Sequence, residues 1–172
     1  KRGDKLFPIQ LGLKASCDLE QMESRLKYHP DVFEFFTSET DFTASGLQHL
    51  RKAVQTVKAS GVKAIVLHHP MKYQGQFLEL VAHPKNKADL VDFINYSTQE
   101  LLKIARDFDC KVLVHGSYEL REKDLLEPFE NIKEAQNYLF TRMDEFCELG
   151  ENHIMFENGI SKLFSFGKPE FD

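Results

Sequence analysis

The chain has 172 residues, of which 42% are hydrophobic and 28% are charged. This composition is typical of a globular protein and excludes collagen-like repeats and a disordered chain, and no apolar run is long enough to cross a bilayer. The formal net charge is -5, which gives no general attraction to nucleic acid or to an anionic membrane surface. We expect one α/β domain over residues 1–172, without a nucleic-acid or membrane partner.

The cysteines and the N-terminal segment bear on the cellular compartment. Three cysteines, Cys17, Cys110 and Cys147, form an odd set without Cys-x-x-Cys spacing, which favours neither a disulfide framework nor a zinc finger. Each is expected to have a packing role. No secretory signal is recognised, because Pro8 and Gln10 interrupt the apolar stretch after the charged first residues. A reducing, cytoplasmic location is expected.

Five short apolar runs, rich in β-branched and aromatic residues, predict five strands. They cover residues 9–13, 32–36, 64–68, 111–115 and 153–157. Between them, apolar residues recur at helical spacing and predict four helices. The stripes run over residues 19–26, 47–57, 90–108 and 132–146, and the last two helices should each exceed fifteen residues. The second helix is predicted to begin beside Ser45 as N-cap, with Gln48 completing a capping box.

The alternation of strands and helices predicts a parallel sheet with right-handed crossovers. Continuous apolar runs such as VFEFF, AIVL and VLV are typical of strands covered on both faces. A doubly wound open sheet and a parallel (β/α) barrel of the TIM type both satisfy this pattern. The loop over residues 71–87 is long for a connection from strand to helix and is a predicted place for ligand contacts.

Three predicted strands end in polar residues that suit a ligand site. They end at His68, His115 and Glu157. Because the C-terminal ends of parallel strands meet at the ligand-binding edge of such folds, these side chains should meet there. Two imidazoles and a carboxylate suit zinc, or manganese or iron if further oxygen ligands join. His69 should point to the opposite face of its strand and stay out of the cluster. The predicted convergence of the three strand-end residues favours the barrel over the doubly wound sheet.

Other chemistries have weaker support. Glu34 with Glu157 could form the carboxylate pair of a glycosidase, although a solvated or salt-bridged Glu34 is the commoner outcome. Surface roles are expected for three histidines, His29, His49 and His83, and a structural role for His153 at the other end of its strand. No Gly-x-Gly-x-x-Gly motif follows a strand, and neither a Walker phosphate loop nor a Gly-x-Ser-x-Gly elbow occurs.

The strand-end motifs resemble those of the xylose isomerase-like TIM barrels, the superfamily of endonuclease IV-type AP endonucleases and many sugar-phosphate isomerases and epimerases. LHHPMKY is similar to the third-strand His-Ala-Pro-Tyr segment of that superfamily, VHGSYE to its fourth-strand His-Pro-Gly segment, and FENG to its fifth-strand Glu-Asn segment. The resemblance implies that His68, His115 and Glu157 bind a divalent metal ion, zinc or manganese. It also makes Glu157 a candidate catalytic residue that could bridge to a second ion.

The chain departs from the superfamily pattern in sequence and in length. His69 replaces a small residue, Gly116 stands where proline is usual, and Gly159 to Ser161 replace Thr-Ala-Gly. These differences affect the endonuclease interpretation more than the metal site. A complete barrel has about 250 residues, so the chain is expected to be the N-terminal part of a (β/α)8 barrel, truncated after about five strands. Association as a homodimer is one way to cover the open sheet.

The leading functional hypothesis is a metal-dependent sugar or sugar-phosphate isomerase or epimerase. The ion would polarise a carbonyl or hydroxyl group of a small sugar and make an adjacent proton easier to remove. Lys72 and Arg121 are the candidate substrate-binding residues, since each follows a candidate ligand by a few positions. Two alternatives stay open, an endonuclease IV-like AP endonuclease and a non-catalytic barrel fragment whose exposed edge binds a partner.

Overall fold

The computed structural model describes residues 9–116 and 128–157. Five strands form one parallel sheet. These strands are β1 (Gly12–Ala15), β2 (Val32–Phe36), β3 (Ala64–His68), β6 (Lys111–His115) and β7 (Ile154–Glu157). A separate antiparallel hairpin consists of β4 (Lys72–Tyr73) and β5 (Gln76–Phe77).

The spatial order of the parallel strands follows their order in the chain. Each crossover therefore steps in the same direction, and right-handed crossovers of this kind place the helices on one side of the sheet. The helices are α1 (Leu19–Leu26), α2 (Ala44–Ala59), α3 (Pro84–Phe108) and α4 (Ile132–Gly150). This is a partial TIM-type barrel, as the strand-end residues predict, and the doubly wound alternative is wrong.

Burial alternates along the central strands. The residues that face the helices are fully buried, whereas those between them are only half buried. The buried set is Phe33, Phe35, Ile65, Leu67, Val112 and Val114, and the half-buried set is Glu34, Val66 and Leu113. The continuous apolar runs predict strands covered on both faces, but only the helix side is covered fully by the residues that the structure describes. The inner face of the curved sheet stays partly accessible.

Three of the five predicted strands have the observed bounds, and the other two are shifted. β1 begins at Gly12 instead of residue 9, because pairing with β2 starts at Gly12↔Val32. Ile9, outside that pairing, is 90% exposed. His153 does not open the last strand, since it belongs to a 3-10 helix over Glu151–His153 that leads into β7.

The start of α2 differs from the prediction. Thr43, not Ser45, is the N-cap, and its Oγ1 accepts a hydrogen bond from the Gly46 N–H at 3.1 Å. The reason is the preceding 3-10 helix (Glu39–Phe42), which leaves Thr43 extended and ready to cap. Gly46 packs so closely here that a Cβ would lie 2.5 Å from the Thr40 carbonyl oxygen.

The long connection after β3 carries the hairpin. Its turn is attached to the segment after β2, because the Gln74 N–H donates to Glu39 Oε2 at 2.8 Å. The Tyr73 ring stacks on Phe93 of α3 with centroids 4.0 Å apart. α3 begins at Pro84, with His83 as N-cap, so part of the predicted loop is helical. α3 has 25 residues, with a kink at the non-helical Lys87 near its start, and α4 has 19, so both have the predicted length of more than fifteen. None of the helices that the structure describes is both long and apolar enough to span a membrane.

Candidate metal centre

Three side chains converge at the C-terminal edge of the sheet. They come from the adjacent strands β3, β6 and β7, which end at His68, His115 and Glu157. His115 and Glu157 are partners in the register of β6 and β7. The two histidine Nε2 atoms are 3.0 Å apart, and Glu157 Oε2 lies 3.2 Å from His68 Nε2 and 2.9 Å from His115 Nε2. The structure thus brings together the three residues that the sequence indicates.

The size of this triangle fits the donor set of a divalent cation. Zinc binds imidazole nitrogen and carboxylate oxygen at about 2.0 to 2.2 Å in tetrahedral sites, so ligand atoms are roughly 3.3 Å apart. The three atoms here are separated by 2.9 to 3.2 Å, and they form a group that could hold a metal ion. Their role as ligands stays a prediction.

His115 is held in the neutral form that a ligand needs. It is 2% exposed, and burial together with the neighbouring His68 ring lowers the pKa of His115 to about 4. Burial acts first, because a charged imidazole loses its hydration there. At neutral pH the ring therefore carries one proton and one nitrogen lone pair.

The backbone around His68 is fixed by its neighbours on the sheet. Thr37, directly after β2, donates from its hydroxyl to the His68 carbonyl oxygen at 2.7 Å, and its N–H donates to the same oxygen at 3.3 Å. On the other side, the His69 N–H donates to the Leu113 carbonyl oxygen at 2.8 Å. These contacts hold the end of β3 where its side chain meets β6.

His69 points away from the cluster, as the alternation of the strand predicts. Its Nε2 lies 2.9 Å from Ser97 Oγ of α3. The Ser97 hydroxyl donates to the Phe93 carbonyl oxygen at 2.7 Å, so its oxygen accepts from His69 Nε2–H. Burial lowers the pKa of His69 to about 3. Only one histidine of the pair therefore enters the cluster.

Two charged residues lie behind His68. The sequence indicates only one of them, Glu34, as a candidate partner of Glu157, and predicts no contact of either residue with His68. Lys14 Nζ lies 2.7 Å from Glu34 Oε1 and 3.0 Å from His68 Nδ1, while Glu34 Oε1 is 3.2 Å from the same Nδ1. The ion pair is the commoner outcome predicted for Glu34, and it removes support for a glycosidase pair with Glu157. The available signal was a charge at an inward position of each of two neighbouring strands.

The structure shows the surroundings of only one of the two candidate substrate-binding residues. Lys72 is on β4, and its ammonium group packs over the Phe77 ring at 4.5 Å from the centroid. Arg121 falls in 117–127, outside the described residues.

The remaining histidines and cysteines have local partners or surface positions. His153 Nδ1 lies 2.8 Å from the Cys110 carbonyl oxygen, consistent with the structural role predicted. The exposed His49 contacts the Cys17 carbonyl oxygen at 2.9 Å through Nε2. Burial raises the pKa of Cys17 to about 12 and that of Cys110 to about 11, which favours packing roles over nucleophilic ones for these two. Cys147 is exposed, so the packing role predicted for it is wrong.

Comparison with known proteins identifies the fold. No protein-family model and no curated protein sequence matches the chain. Among solved structures, the chain is similar to a D-tagatose 3-epimerase-like protein, with a TM-score of 0.64 and 17% sequence identity. The match covers 92% of this chain and 56% of that protein, so the chain spans little more than half of its length. At this identity the likeness concerns the fold alone, and the chain has the fold of part of a TIM-type barrel.

Proposed function

We propose that this chain is the N-terminal part of a metal-dependent sugar or sugar-phosphate isomerase or epimerase. The observation that carries the proposal is the convergence of His68, His115 and Glu157 at the C-terminal edge of a partial TIM-type barrel, the edge where such barrels have their active sites. The printed description of the solved structure, epimerase-like, supports the same class of reaction. Zinc and manganese are the proposed ions.

The three side chains have distinct tasks in this proposal. His68 and His115 would supply nitrogen ligands from a buried position, with side chains 8% and 2% exposed, whereas the Glu157 side chain is 37% exposed. A substrate that reaches the cluster from solvent therefore meets Glu157 first. Since Glu157 Oε2 faces both imidazoles, Oε1 is the atom that we assign to hydrogen bonding with a substrate hydroxyl. When bound, a divalent cation supplies Lewis acidity toward a sugar carbonyl or hydroxyl.

Substrate recognition and assembly belong to the same proposal. Lys72 and Arg121 are proposed to bind a substrate phosphate, for which the Lys72 ammonium group would leave the Phe77 ring. β1 and β7 are the edges of the described sheet, and unpaired strand edges favour association. A homodimer is therefore part of the proposal, and so is the cytoplasmic location predicted from the cysteine pattern.

Metal analysis is the first test. Protein purified without chelators is measured for zinc and manganese by mass spectrometry, alongside His115→Ala and the matched control His49→Ala, which removes an exposed histidine on α2. We expect the parent chain and His49→Ala to hold metal and His115→Ala to lose it. Equal metal content in all three proteins would contradict the proposed site.

The reaction is tested by exchange with solvent. A panel of ketoses and ketose phosphates is incubated with the metal-loaded chain in D2O, and NMR follows deuterium incorporation at the carbon next to the carbonyl group. Exchange that disappears in His115→Ala supports the proposal. Absence of exchange on every sugar, together with incision of a duplex carrying an abasic site, would favour the endonuclease instead. Absence of both activities and of bound metal would favour the non-catalytic fragment.

A further inference from the structure

The His68 ring lies between two sets of groups. Its Nε2 faces His115 and Glu157, whereas its Nδ1 faces Lys14 Nζ at 3.0 Å and Glu34 Oε1 at 3.2 Å. Lys14 and Glu34 come from the two strands on one side of β3, and the other two residues come from the two strands on its other side. Contacts at both nitrogens therefore influence which of them carries the ring proton.

Lys14 and Glu34 favour opposite tautomers of His68. A lysine ammonium group only donates, so its hydrogen bond to Nδ1 requires a lone pair there and places the ring proton on Nε2. An ionised carboxylate only accepts, so Glu34 favours a proton on Nδ1. A neutral imidazole has one proton, and the two arrangements exclude each other.

The tautomer decides whether His68 can be a ligand at Nε2. A cation there needs the Nε2 lone pair, and ligating histidines almost always donate the other N–H to a carboxylate, a carbonyl or water. We propose that Lys14 and Glu34 are positioning residues that set the tautomer of His68 and thereby the affinity of the cluster for a divalent cation. Glu34 supports the ligating tautomer and Lys14 opposes it. This inference rests on the metal site of the proposed function.

The change from one His68 tautomer to the other needs no co-reactant besides water. The proton on Nε2 goes to solvent water and a proton from water goes to Nδ1, so the ring holds the same number of protons before and after the exchange. Lys14 Nζ already lies 2.7 Å from Glu34 Oε1, so it keeps a partner when its hydrogen bond to Nδ1 is given up. The Lys14 side chain is 47% exposed and that of Glu34 29%, which leaves the lysine room to turn away from the ring.

Zinc affinity measures the effect directly. Competition with a chromophoric chelator gives the dissociation constant for the parent chain, Glu34→Gln, Lys14→Met and the double variant. We expect Glu34→Gln to weaken zinc binding by about 10 to 100-fold, the usual loss for a residue that supports a histidine ligand. Lys14→Met should bind at least as tightly as the parent chain, and the double variant should recover much of the loss because the opposing donor is gone.

A matched ion pair provides the control. Asp31 and Lys63 form an ion pair of the same length, 2.7 Å, just before β2 and β3 and at the opposite edge of the sheet. Asp31→Asn should leave zinc affinity unchanged. Near-UV circular dichroism checks that every variant is folded, and if Glu34→Gln does not fold, the tautomer of His68 in Lys14→Met, compared with the parent chain, still decides the question.

NMR gives a readout that does not depend on zinc. Nitrogen-15 shifts of His68 in chelator-treated protein report its tautomer, and Lys14→Met should move the proton toward Nδ1 while Glu34→Gln moves it toward Nε2. Unchanged zinc affinity and unchanged tautomer in Glu34→Gln would overturn the inference, as would additive losses of affinity from the two single variants. A parent chain that binds no zinc, or a His115→Ala variant that binds it equally well, would contradict the proposed function instead. The NMR measurement would still test the effect of Lys14 and Glu34 on the tautomer.

Discussion

His68 Nε2 and His115 Nε2 face each other at 3.0 Å, although 47 positions separate the two residues. Two neutral rings in this arrangement are satisfied when one nitrogen donates to the other, or when both lone pairs face a positive ion. A proton on both rings would place two positive charges against each other, which agrees with the low pKa of His115, about 4. The contact that the fold imposes therefore requires either a single proton or a cation between the two nitrogens.

Folding stability should fall as the solution becomes acidic. Burial lowers the pKa of His115 to about 4 and that of His69 to about 3, below the ordinary value near 6.5 of the unfolded chain. Because the folded state prefers the neutral rings, their contribution is fully present above about pH 6.5 and is lost as the pH falls toward 4. Urea unfolding of chelator-treated protein should show a decrease on the order of a few kcal/mol between pH 7 and 4.5.

Between pH 6.5 and 5 the carboxylates stay mostly ionised. A change in the free energy of unfolding over this range therefore reports on the histidines. His69→Gln keeps a polar group that can donate to Ser97 Oγ and removes one of the two titrating rings, so its stability should depend less steeply on pH. An unfolding free energy that is constant from pH 7 to 5 would show that the two buried rings do not prefer the neutral form.

The bounds of a strand could be predicted where its apolar run coincides with its pairing in the sheet. The three central strands lie in the middle of the sheet, and their apolar runs end where pairing ends. At the sheet edge, the start of β1 depends on its register with β2, which the sequence does not contain. The N-cap of α2 was misassigned for a related reason, because the 3-10 helix that positions Thr43 is not visible in a residue pattern.

The candidate site was predictable to the extent that it depends on strand ends. His68, His115 and Glu157 could be found because the C-terminal ends of parallel strands share one edge. The contacts of Lys14 and Glu34 with His68 Nδ1 could not be predicted, since they depend on how three neighbouring strands are placed side by side. A charged residue at an inward strand position indicates a residue near the site, but it does not indicate which side chain that residue contacts.

One-sided burial of β3 predicts unequal effects of neighbouring substitutions. Ile65 is buried on the helix side, and Val66 is half buried on the inner face. Ile65→Ala should lower the free energy of unfolding by about 2 to 5 kcal/mol through the lost contacts and the cavity. Val66→Ala should cost about 1 kcal/mol. Urea unfolding compares the two, and equal losses would mean that the inner face is as well packed as the outer one.

Two adjacent buried hydroxyl groups on α3 should respond differently to removal. Ser97 accepts from His69 Nε2, whereas Thr98 Oγ1 has no hydrogen-bond partner among the described residues. Ser97→Ala leaves the buried His69 N–H unsatisfied and should cost about 1 to 3 kcal/mol. Thr98→Val keeps the shape of the side chain and should be neutral or stabilising. Thermal and urea unfolding of both variants test the contrast, and a loss in Thr98→Val as large as that in Ser97→Ala would contradict it.

The cysteines should differ in their rate of alkylation. Burial raises the pKa of Cys17 to about 12, with Asp41 adding to the effect, and burial raises that of Cys110 to about 11. Because the thiolate is the reactive form, iodoacetamide at pH 8 should modify the exposed Cys147 first, the half-buried Cys17 more slowly and the buried Cys110 only after unfolding. Peptide mass spectrometry follows the three rates.

Asp41→Asn tests the cause of the Cys17 effect. The thiol lies 3.3 Å from Asp41 Oδ1, and the substitution removes the charge while keeping an acceptor. Since burial is the larger cause, labelling of Cys17 should become faster in this variant but stay slower than labelling of Cys147. If Cys17 in the parent chain reacts as fast as Cys147, its thiol is not protected by burial, and the packing role assigned to it is wrong.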